Sequence, residues 1–314
     1  MKISLLLRIF GVFLVFTTAA LAQNQKPTVE DEQVLFNVTV TTKKSDWIIG
    51  LKSENFKVYD EKNLQPITFF SSEDVPISVG ILVDKSQSTD GILAPAIRQA
   101  LSKFVNKSHS DDEYFLMTFN VTQELLLDNI QDKNAVLQAI EKLPTIKSQG
   151  NTSYYDAIRV GLEKVSKGKY THKVLIILSD GMNNESKIDF GDIKKIIKQS
   201  DVLLYNINLT NSSDAGYSFG MQALAFSEEL VGLSGGKIYN PQTIAELNEA
   251  LVRTAEELRN QYVIGFKKQK IAEKDKKEKW HEVEIKVELP ANLSNVGKVN
   301  VRNRKGYYLS AKSN

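Results

Sequence analysis

From residue 78 onward, short apolar segments alternate with segments whose apolar side chains recur at helical spacing. Residues 174–178 are apolar at every position, which is typical of a strand buried on both faces of a sheet. Strands that alternate with helices predict a parallel sheet with helices on both faces. The sequence therefore predicts an α/β, doubly wound, mostly parallel fold for this region.

The same periodicities place the individual elements. Strands are expected at residues 78–83, 114–119, 124–127, 174–178, 202–207 and 236–239. Helices are expected at residues 91–105, 133–143, 153–165, 187–198, 221–231 and 244–260. The strand at residues 124–127 follows a turn and is expected to pair antiparallel at the sheet edge. In sheets of this type, ligands bind beyond the carboxyl ends of the strands.

The two flanks of this region carry a different pattern. Residues 34–40 and 283–289 are apolar at every second position, which indicates half-buried antiparallel strands. Residues 56–59 and 67–70 flank a turn at Asn63 and predict a hairpin. Further strands are expected at residues 262–266, 298–301 and 307–309. Because neither flank can bury a core by itself, we expect both to form one small antiparallel β module.

The first 22 residues resemble an export signal. Lys2 and Arg8 give a basic start, and residues 9–19 are apolar except for two threonines. Residues 20–22, Ala-Leu-Ala, form a small-x-small cleavage sequence. The apolar run is shorter than the roughly 20 residues of a bilayer span. We expect cleavage and export to the periplasm, the cell surface or the medium, with no stable membrane span afterwards; an uncleaved N-terminal anchor is the alternative.

Cysteine content and charge exclude other classes of protein. The chain has no cysteine, so neither a disulfide nor a lipid-modified cysteine is available. It has 40 Lys and Arg against 38 Asp and Glu, and cleavage would remove two basic residues. A formally neutral chain provides no basic field for nucleic acid or anionic lipid. The most basic run, residues 267–279, also contains acidic residues and predicts a solvated loop.

Small oxygen-bearing side chains occur in three separate segments. Residues 84–88 read Asp-Lys-Ser-Gln-Ser after a predicted strand, and residues 179–181 read Ser-Asp-Gly after another. Residues 150–152 read Gly-Asn-Thr. Hard divalent cations such as Mg²⁺ prefer oxygen ligands and keep water or a partner's carboxylate in the remaining positions. Both aspartates follow predicted strands of a parallel sheet, so the topology places them together at the carboxyl edge of that sheet. Ligands bind at this edge, and carboxylate and hydroxyl oxygens suit a cation there.

This order of residues resembles the metal-ion-dependent adhesion site of von Willebrand factor A (VWA) domains. Its five positions are filled by Asp84, Ser86, Ser88, Thr152 and Asp180. The resemblance implies that the three hydroxyls coordinate the cation, Mg²⁺ or else Mn²⁺ or Ca²⁺, directly. It implies that the two aspartates hold it directly or through water. Lys85 and Gln87 are not ligands in the family, and we expect Lys85 to turn outward.

The wider layout also resembles a known group. It consists of a signal peptide (1–22), an N-terminal β arm (23–75), a VWA domain (76–259) and a C-terminal β arm (260–314) that packs with the first. Residues 304–308 read Arg-Lys-Gly-Tyr-Tyr near its end. This layout resembles the exported VWFA-related proteins abundant in Acidobacteria. Most of that group has no assigned function, so the resemblance implies an architecture rather than an activity.

The motif residues also have simpler interpretations. Ser86 and Ser88 are suited to capping the next helix, and Asp180 with Gly181 is a common turn sequence. The occurrence of all three segments in the right order favours the metal site. Phosphoryl transfer by a D-x-D nucleophile is disfavoured, because Ser86 occupies the position two after Asp84.

The predicted ligand set favours binding over catalysis. Three of its five ligands are neutral hydroxyls, so the cation would stay electrophilic and accept an acidic side chain from a partner. The three histidines are scattered, and His172 is expected at the surface or an edge, opposite the metal. We therefore predict a non-enzymatic exported protein that attaches to an Asp or Glu of a protein partner through a divalent cation. The alternatives are an envelope scaffold with a structural metal and, more distantly, a metal-dependent hydrolase; oligomeric state stays open.

Overall fold

The computed structural model describes residues 33–86, 93–143, 151–209, 217–268 and 279–309. The predicted signal segment, Ser88 and most of the basic run at 267–279 lie outside the described residues. The strands are β1 (Gln33–Thr42), β2 (Phe56–Asp60), β3 (Asn63–Gln65), β4 (Phe69–Ser71), β5 (Ser78–Asp84), β6 (Glu113–Phe119), β7 (Gln123–Ile130), β8 (Lys173–Leu178), β9 (Leu203–Ile207), β10 (Lys237–Tyr239), β11 (Tyr262–Lys267), β12 (Lys279–Val287), β13 (Val299–Arg302) and β14 (Gly306–Leu309). The helices are α1 (Leu93–Lys107), α2 (Lys133–Glu141), α3 (Tyr154–Val165), α4 (Phe190–Gln199), α5 (Tyr217–Ser234) and α6 (Ile244–Arg259).

The central sheet has the order β10-β9-β8-β5-β6-β7 in the described part of the chain. Its pairs are parallel except β6 with β7, which is antiparallel at the edge. Helices α1, α2 and α6 share one core with one face, and helices α3, α4 and α5 share a second core with the other. The predicted fold class, a mostly parallel sheet between two helical layers, is confirmed. Across the described ranges, no helix has both the length and the apolar character needed to cross a membrane.

Two helices, α4 and α5, differ from their predicted bounds by three residues or more at one end at least. Helix α4 begins three residues later than expected, at Phe190, because Asp189 caps it. The Asp189 side chain accepts a hydrogen bond from the Asp192 N–H, and the Asp192 side chain accepts one from the Asp189 N–H. Helix α5 extends beyond the predicted residues 221–231 at both ends.

The flanking segments form two antiparallel sheets, in the orders β13-β1-β11-β4 and β14-β12-β2-β3. Each sheet combines strands from before and after the α/β region, and their apolar faces share one core. The predicted hairpin between residues 56–59 and 67–70 is wrong. Strand β2 instead pairs with β3 across Glu61 and Lys62, both of which have positive φ, and β4 pairs with β11 in the other sheet.

Buried polar contacts join these sheets to the α/β region. Glu257 of α6 is fully buried and accepts hydrogen bonds from Thr39 of β1, Tyr205 of β9 and Arg302 of β13. The Glu257 carboxylate thus accepts hydrogen bonds from one strand of the central sheet and from two strands of a flanking sheet. These bonds fix how α6 packs against both sheets.

Candidate metal centre

Parallel pairing of β5 with β8 brings the two predicted aspartate ligands to one edge of the sheet. Val83 is opposite Leu178, so Asp84 and Asp180 both leave the sheet at its carboxyl end. The N–H of Ser86 donates to Asp84 Oδ1 at 2.8 Å, and the Ser179 hydroxyl donates to Asp84 Oδ2 at 2.6 Å. Both carboxylates are nearly fully buried. Asp84 is therefore oriented through both of its oxygens.

The turn after β8 positions the second carboxylate. Asp180 Oδ1 accepts the N–H of Met182 at 2.9 Å, and Ser179 Oγ accepts the N–H of Gly181 at 3.0 Å. Gly181 has φ of 76°, and a Cβ there would overlap the hydroxyl of Ser227 on α5. Both the backbone conformation and the close approach of α5 therefore require glycine at this position.

Thr152 is attached to the loop that follows Asp180. Its N–H donates to Asn184 Oδ1 at 2.7 Å, and its carbonyl accepts the N–H groups of Asn184 and Glu185 at 3.1 and 3.2 Å. The next residue, Ser153, donates its N–H to the carbonyl of Asn120 in the β6–β7 turn at 2.8 Å. Thr152 is thus held, buried, between the two loops that border the carboxyl edge.

Burial and charge act together on the two carboxylates. The pKa of Asp84 is raised to about 6, chiefly by burial and also by the neighbouring Asp180 carboxylate, while hydrogen bonds from Ser179 and Ser86 oppose the shift. Burial is the main cause that raises the pKa of the Tyr154 hydroxyl, and the carboxylates of Asp84 and Asp180 raise it as well. Two buried like charges at one edge are the arrangement that a divalent cation stabilises.

The residues present fit a hard cation. Carboxylates come from Asp84 and Asp180, and hydroxyls come from Ser86 and Thr152. Ser86 directs its side chain to the Asp84 carboxylate. Over the described ranges, no three His, Cys, Asp or Glu side chains gather into a potential metal site. A cation here would accordingly be held by two carboxylates and by hydroxyls, which suits Mg²⁺ better than a transition metal.

Sequence reasoning missed the residues that support this centre. The Ser-Asp-Gly segment predicts no role for Ser179, although its hydroxyl donates a hydrogen bond to the Asp84 carboxylate. Asn184 binds Thr152, and Ser227 of α5 donates to the Tyr154 hydroxyl at 3.3 Å. The serine next to Asp180 is a local signal for the first of these contacts, whereas nothing near Ser227 in the sequence indicates its contact with Tyr154.

The side chain of Lys85 forms an ion pair with Glu124 of β7, with 2.8 Å between Lys85 Nζ and the carboxylate.

His172 is a correction at the opposite end of the sheet. It was expected at the surface or an edge, but it is buried ahead of β8. The pKa of His172 is lowered to about 3, chiefly by burial and also by the Arg259 guanidinium. The structure therefore holds this imidazole neutral and away from the candidate centre.

Residues 78–250 match the von Willebrand factor type A domain family. The match spans more than half of the chain, so the protein belongs to this family. A Synechocystis protein described as uncharacterised is 25% identical over 118 residues, which cover 37% of this chain and 27% of that protein. The chain thus spans little more than a quarter of the length of the curated relative it matches.

Solved structures of similar fold share little sequence with this chain. A von Willebrand factor type A protein from Catenulispora acidiphila has a TM-score of 0.49 at 11% identity, over 90% of this chain and 75% of that one. The PilB minor pilin from Streptococcus sanguinis has a TM-score of 0.47 at 12% identity, over 74% of this chain and 88% of that one. The vWF domain of the pilus tip protein Mfa5 from Porphyromonas gingivalis has a TM-score of 0.46 at 12% identity, over 58% of this chain and 95% of that one. Similarities at this level carry no argument about function.

Proposed function

We propose that this protein is an exported, non-enzymatic binding protein that attaches to a protein partner through a divalent cation. The observation that carries the proposal is the carboxyl edge of the sheet, where Asp84 and Asp180 are buried together. Ser86 adds a hydroxyl from the same segment as Asp84, and Thr152 adds one from a third segment. With Ser88, these residues would hold Mg²⁺ or a similar ion. The ion would supply an electrophilic position for a partner's Asp or Glu.

Binding rather than turnover is supported by where the histidines lie. His109 is in the loop before β6, His172 precedes β8 and His281 is in β12. The amino ends of β6 and β8 are at the edge opposite the candidate centre, and β12 belongs to a flanking sheet. General acid–base catalysis needs such a group within hydrogen-bond reach of the reacting atoms. A partner's carboxylate needs only the cation and a complementary surface.

A scaffold role is the second candidate, and one observation favours it. The flanking sheets are fastened to α6 through the fully buried carboxylate of Glu257. In a scaffold, those sheets would make the contacts and the metal would only stabilise the fold. Partner binding would then survive chelation, whereas adhesion through the cation would not.

The experiment has a metal arm and a partner arm. Calorimetry with and without Mg²⁺ should show a higher melting temperature for the wild type, because ligand binding to the native state stabilises it. Asp180→Ala should remove that shift, and Asp189→Ala, which removes only the α4 cap, should keep it. A shift retained in Asp180→Ala contradicts the metal site.

The partner arm uses the full chain as bait on envelope fractions, with Mg²⁺ or with EDTA. Adhesion predicts capture that EDTA abolishes and that Thr152→Ala greatly reduces. Capture that is insensitive to EDTA supports the scaffold role instead.

A further inference from the structure

Hydrogen bonds join the three segments that carry the candidate ligands. These segments are residues 84–86, 151–153 and 179–186, and we refer to them as the ligand segments. A bond of 2.6 Å from the Ser179 hydroxyl to the Asp84 carboxylate joins the segment after β5 to the segment after β8. Two further links close these segments into a ring.

The second link is Asn184, which lies four residues after Asp180 in the same segment. Its side-chain oxygen accepts the N–H of Thr152 at 2.7 Å, and its own backbone N–H donates to the Thr152 carbonyl at 3.1 Å. The Asn184 side-chain N–H also donates to the side-chain oxygen of Asn151 at 3.2 Å. Because both backbone polar groups of Thr152 are bonded to Asn184, the orientation of Thr152 is set by the segment that carries Asp180.

The third link runs through the turn between β6 and β7. The N–H of Lys85 donates to the carbonyl of Phe119 at 2.8 Å, and the N–H of Ser153 donates to the carbonyl of Asn120 at 2.8 Å. Phe119 and Asn120 are consecutive residues. Neighbouring carbonyls therefore hold the residue that follows one candidate ligand and the residue that follows another.

A closed ring restricts each ligand segment through the other two. The candidate ligands of the described segments are all buried: Asp84, Ser86, Thr152 and Asp180. Thr152 cannot move away from Asp180 without breaking its bonds to Asn184. When ligands are held in place before a cation arrives, none of the binding free energy is needed to order them.

Resting on the proposed function, we propose that this ring keeps the cation site permanently formed and that Asn184 is the positioning residue for Thr152. The site then binds its cation, and through it a partner, without a preceding rearrangement of residues 151–153. Attachment is accordingly controlled by the supply of cation and partner rather than by a conformational switch of these segments.

Hydrogen exchange on the full-length protein tests whether the site is formed in advance. In the wild type, the exchange rates of the Thr152 and Asn184 amides should change less than about threefold on addition of Mg²⁺, relative to the amides of β6. The amides of β6 serve as the reference because they report the overall stabilisation by the ion. A slowing of more than about tenfold at Thr152, on the same relative scale, would mean that the cation orders this segment, and it overturns the proposal.

Asn184→Ala tests the positioning role. The variant lacks the side-chain bonds to Thr152 and Asn151. Its affinity for Mg²⁺, measured by isothermal titration calorimetry, should fall about 10–100-fold, the usual effect of losing a group that orients a metal ligand. Without Mg²⁺, its Thr152 amide should exchange at least about tenfold faster than in the wild type.

Ser186→Ala is the matched control in the same segment. The Ser186 hydroxyl accepts the N–H of Tyr155 at 3.1 Å and the N–H of Asp156 at 3.2 Å, both in the first turn of α3. This variant also loses hydrogen bonds from the loop after β8, but those bonds hold α3 rather than Thr152. It should keep the wild-type affinity for Mg²⁺.

The outcomes separate this inference from the function beneath it. Equal Mg²⁺ affinity in Asn184→Ala and the wild type, or an equal loss in Ser186→Ala, overturns the positioning role and leaves metal-dependent binding intact. Absence of Mg²⁺ binding in the wild type overturns both.

Discussion

The hydroxyl of Ser179 donates a 2.6 Å hydrogen bond to the carboxylate of Asp84, which lies 95 residues earlier in the chain. The bond joins the carboxyl ends of β8 and β5, the adjacent strands that bring the two candidate ligands together. Because Asp84 also accepts the N–H of Ser86, both of its oxygens are oriented by the protein. The orientation of this carboxylate is therefore built into the fold before any cation binds.

Removing the Ser179 hydroxyl should weaken metal binding. In Ser179→Ala, Asp84 loses a charge-assisted hydrogen bond, and the N–H of Gly181 loses its acceptor. Loss of a group that orients a metal ligand typically costs about 10–100-fold in affinity. We expect a change in that range for Mg²⁺, measured by isothermal titration calorimetry.

Ser108→Ala is the matched control for this prediction. The Ser108 hydroxyl is also buried, and it donates to the carbonyl of Phe104 at 2.8 Å near the other edge of the sheet. Ser108→Ala should lose about 0.5–1.5 kcal/mol of unfolding free energy from its one missing bond, and Ser179→Ala should lose more, because one of its two missing bonds is to a carboxylate. Only Ser179→Ala should change Mg²⁺ affinity, and equal Mg²⁺ affinities in the two variants would contradict the prediction.

Gly181→Ala should be far more destabilising than an alanine at another left-handed glycine. At Gly181 the new methyl meets both a φ of 76° and the Ser227 hydroxyl, whereas Gly297 has φ of 78° and nothing within 4 Å of its Cβ position. Gly297→Ala measures only the cost of placing alanine in a left-handed backbone conformation, about 1–2 kcal/mol of unfolding free energy. Urea denaturation should show a larger loss for Gly181→Ala.

A second change isolates the steric part of that loss. Gly181→Ala/Ser227→Ala removes the colliding hydroxyl and should recover stability relative to Gly181→Ala. If Gly181→Ala and Gly297→Ala lose equal stability, Ser227 does not restrict this turn.

The ion pair between Glu257 and Arg302 gives a third prediction. Glu257 is fully buried, so Arg302→Met would leave a buried carboxylate without its cation, at a cost of about 3–5 kcal/mol. Glu257→Gln/Arg302→Met removes both charges and should recover much of that loss. Unfolding free energies of the four proteins in this double-mutant cycle measure the coupling. Additive losses in the two single variants would show that the pair does not connect α6 to β13.

Much of this architecture follows from local pattern. Strand β8 is apolar and buried from Val174 to Leu178, and that pattern alone predicts a central parallel strand covered on both faces. Once β5 and β8 are parallel strands, Asp84 and Asp180 must end at the same edge. The placement of both aspartates at one edge of the sheet was therefore predictable from the sequence.

Other features depend on contacts that no local pattern encodes. Strand β4 has the composition of a hairpin partner for β2, yet it pairs with β11, which lies almost 200 residues later. The Ser227 contact depends on how α5 packs against the Gly181 turn. The Arg259 guanidinium at the end of α6 acts on the buried His172, and nothing near residue 172 predicts that neighbour.

The buried His172 predicts a specific loss of stability in acid. Its pKa is about 3 in the folded protein, because burial and Arg259 disfavour the charged imidazole, against 6.5 as its ordinary value. Between these values the unfolded chain binds more protons than the native protein. The unfolding free energy therefore falls as the pH drops below about 6.5, by up to about 1.4 kcal/mol per pH unit from this group.

His172→Gln removes the titrating group and should flatten this part of the pH dependence. Between pH 7 and pH 4.5, the wild type should lose about 2–3 kcal/mol more unfolding free energy than the variant, measured by urea denaturation. Thr254→Val is a suitable control, because Thr254 is fully buried, donates to the carbonyl of Ala250 and does not titrate. That control should be less stable at every pH but keep the wild-type slope. A group with the same pKa in the folded and unfolded states does not make the unfolding free energy depend on pH. Parallel pH profiles for His172→Gln and the wild type would therefore contradict the lowered pKa of His172 in the folded protein.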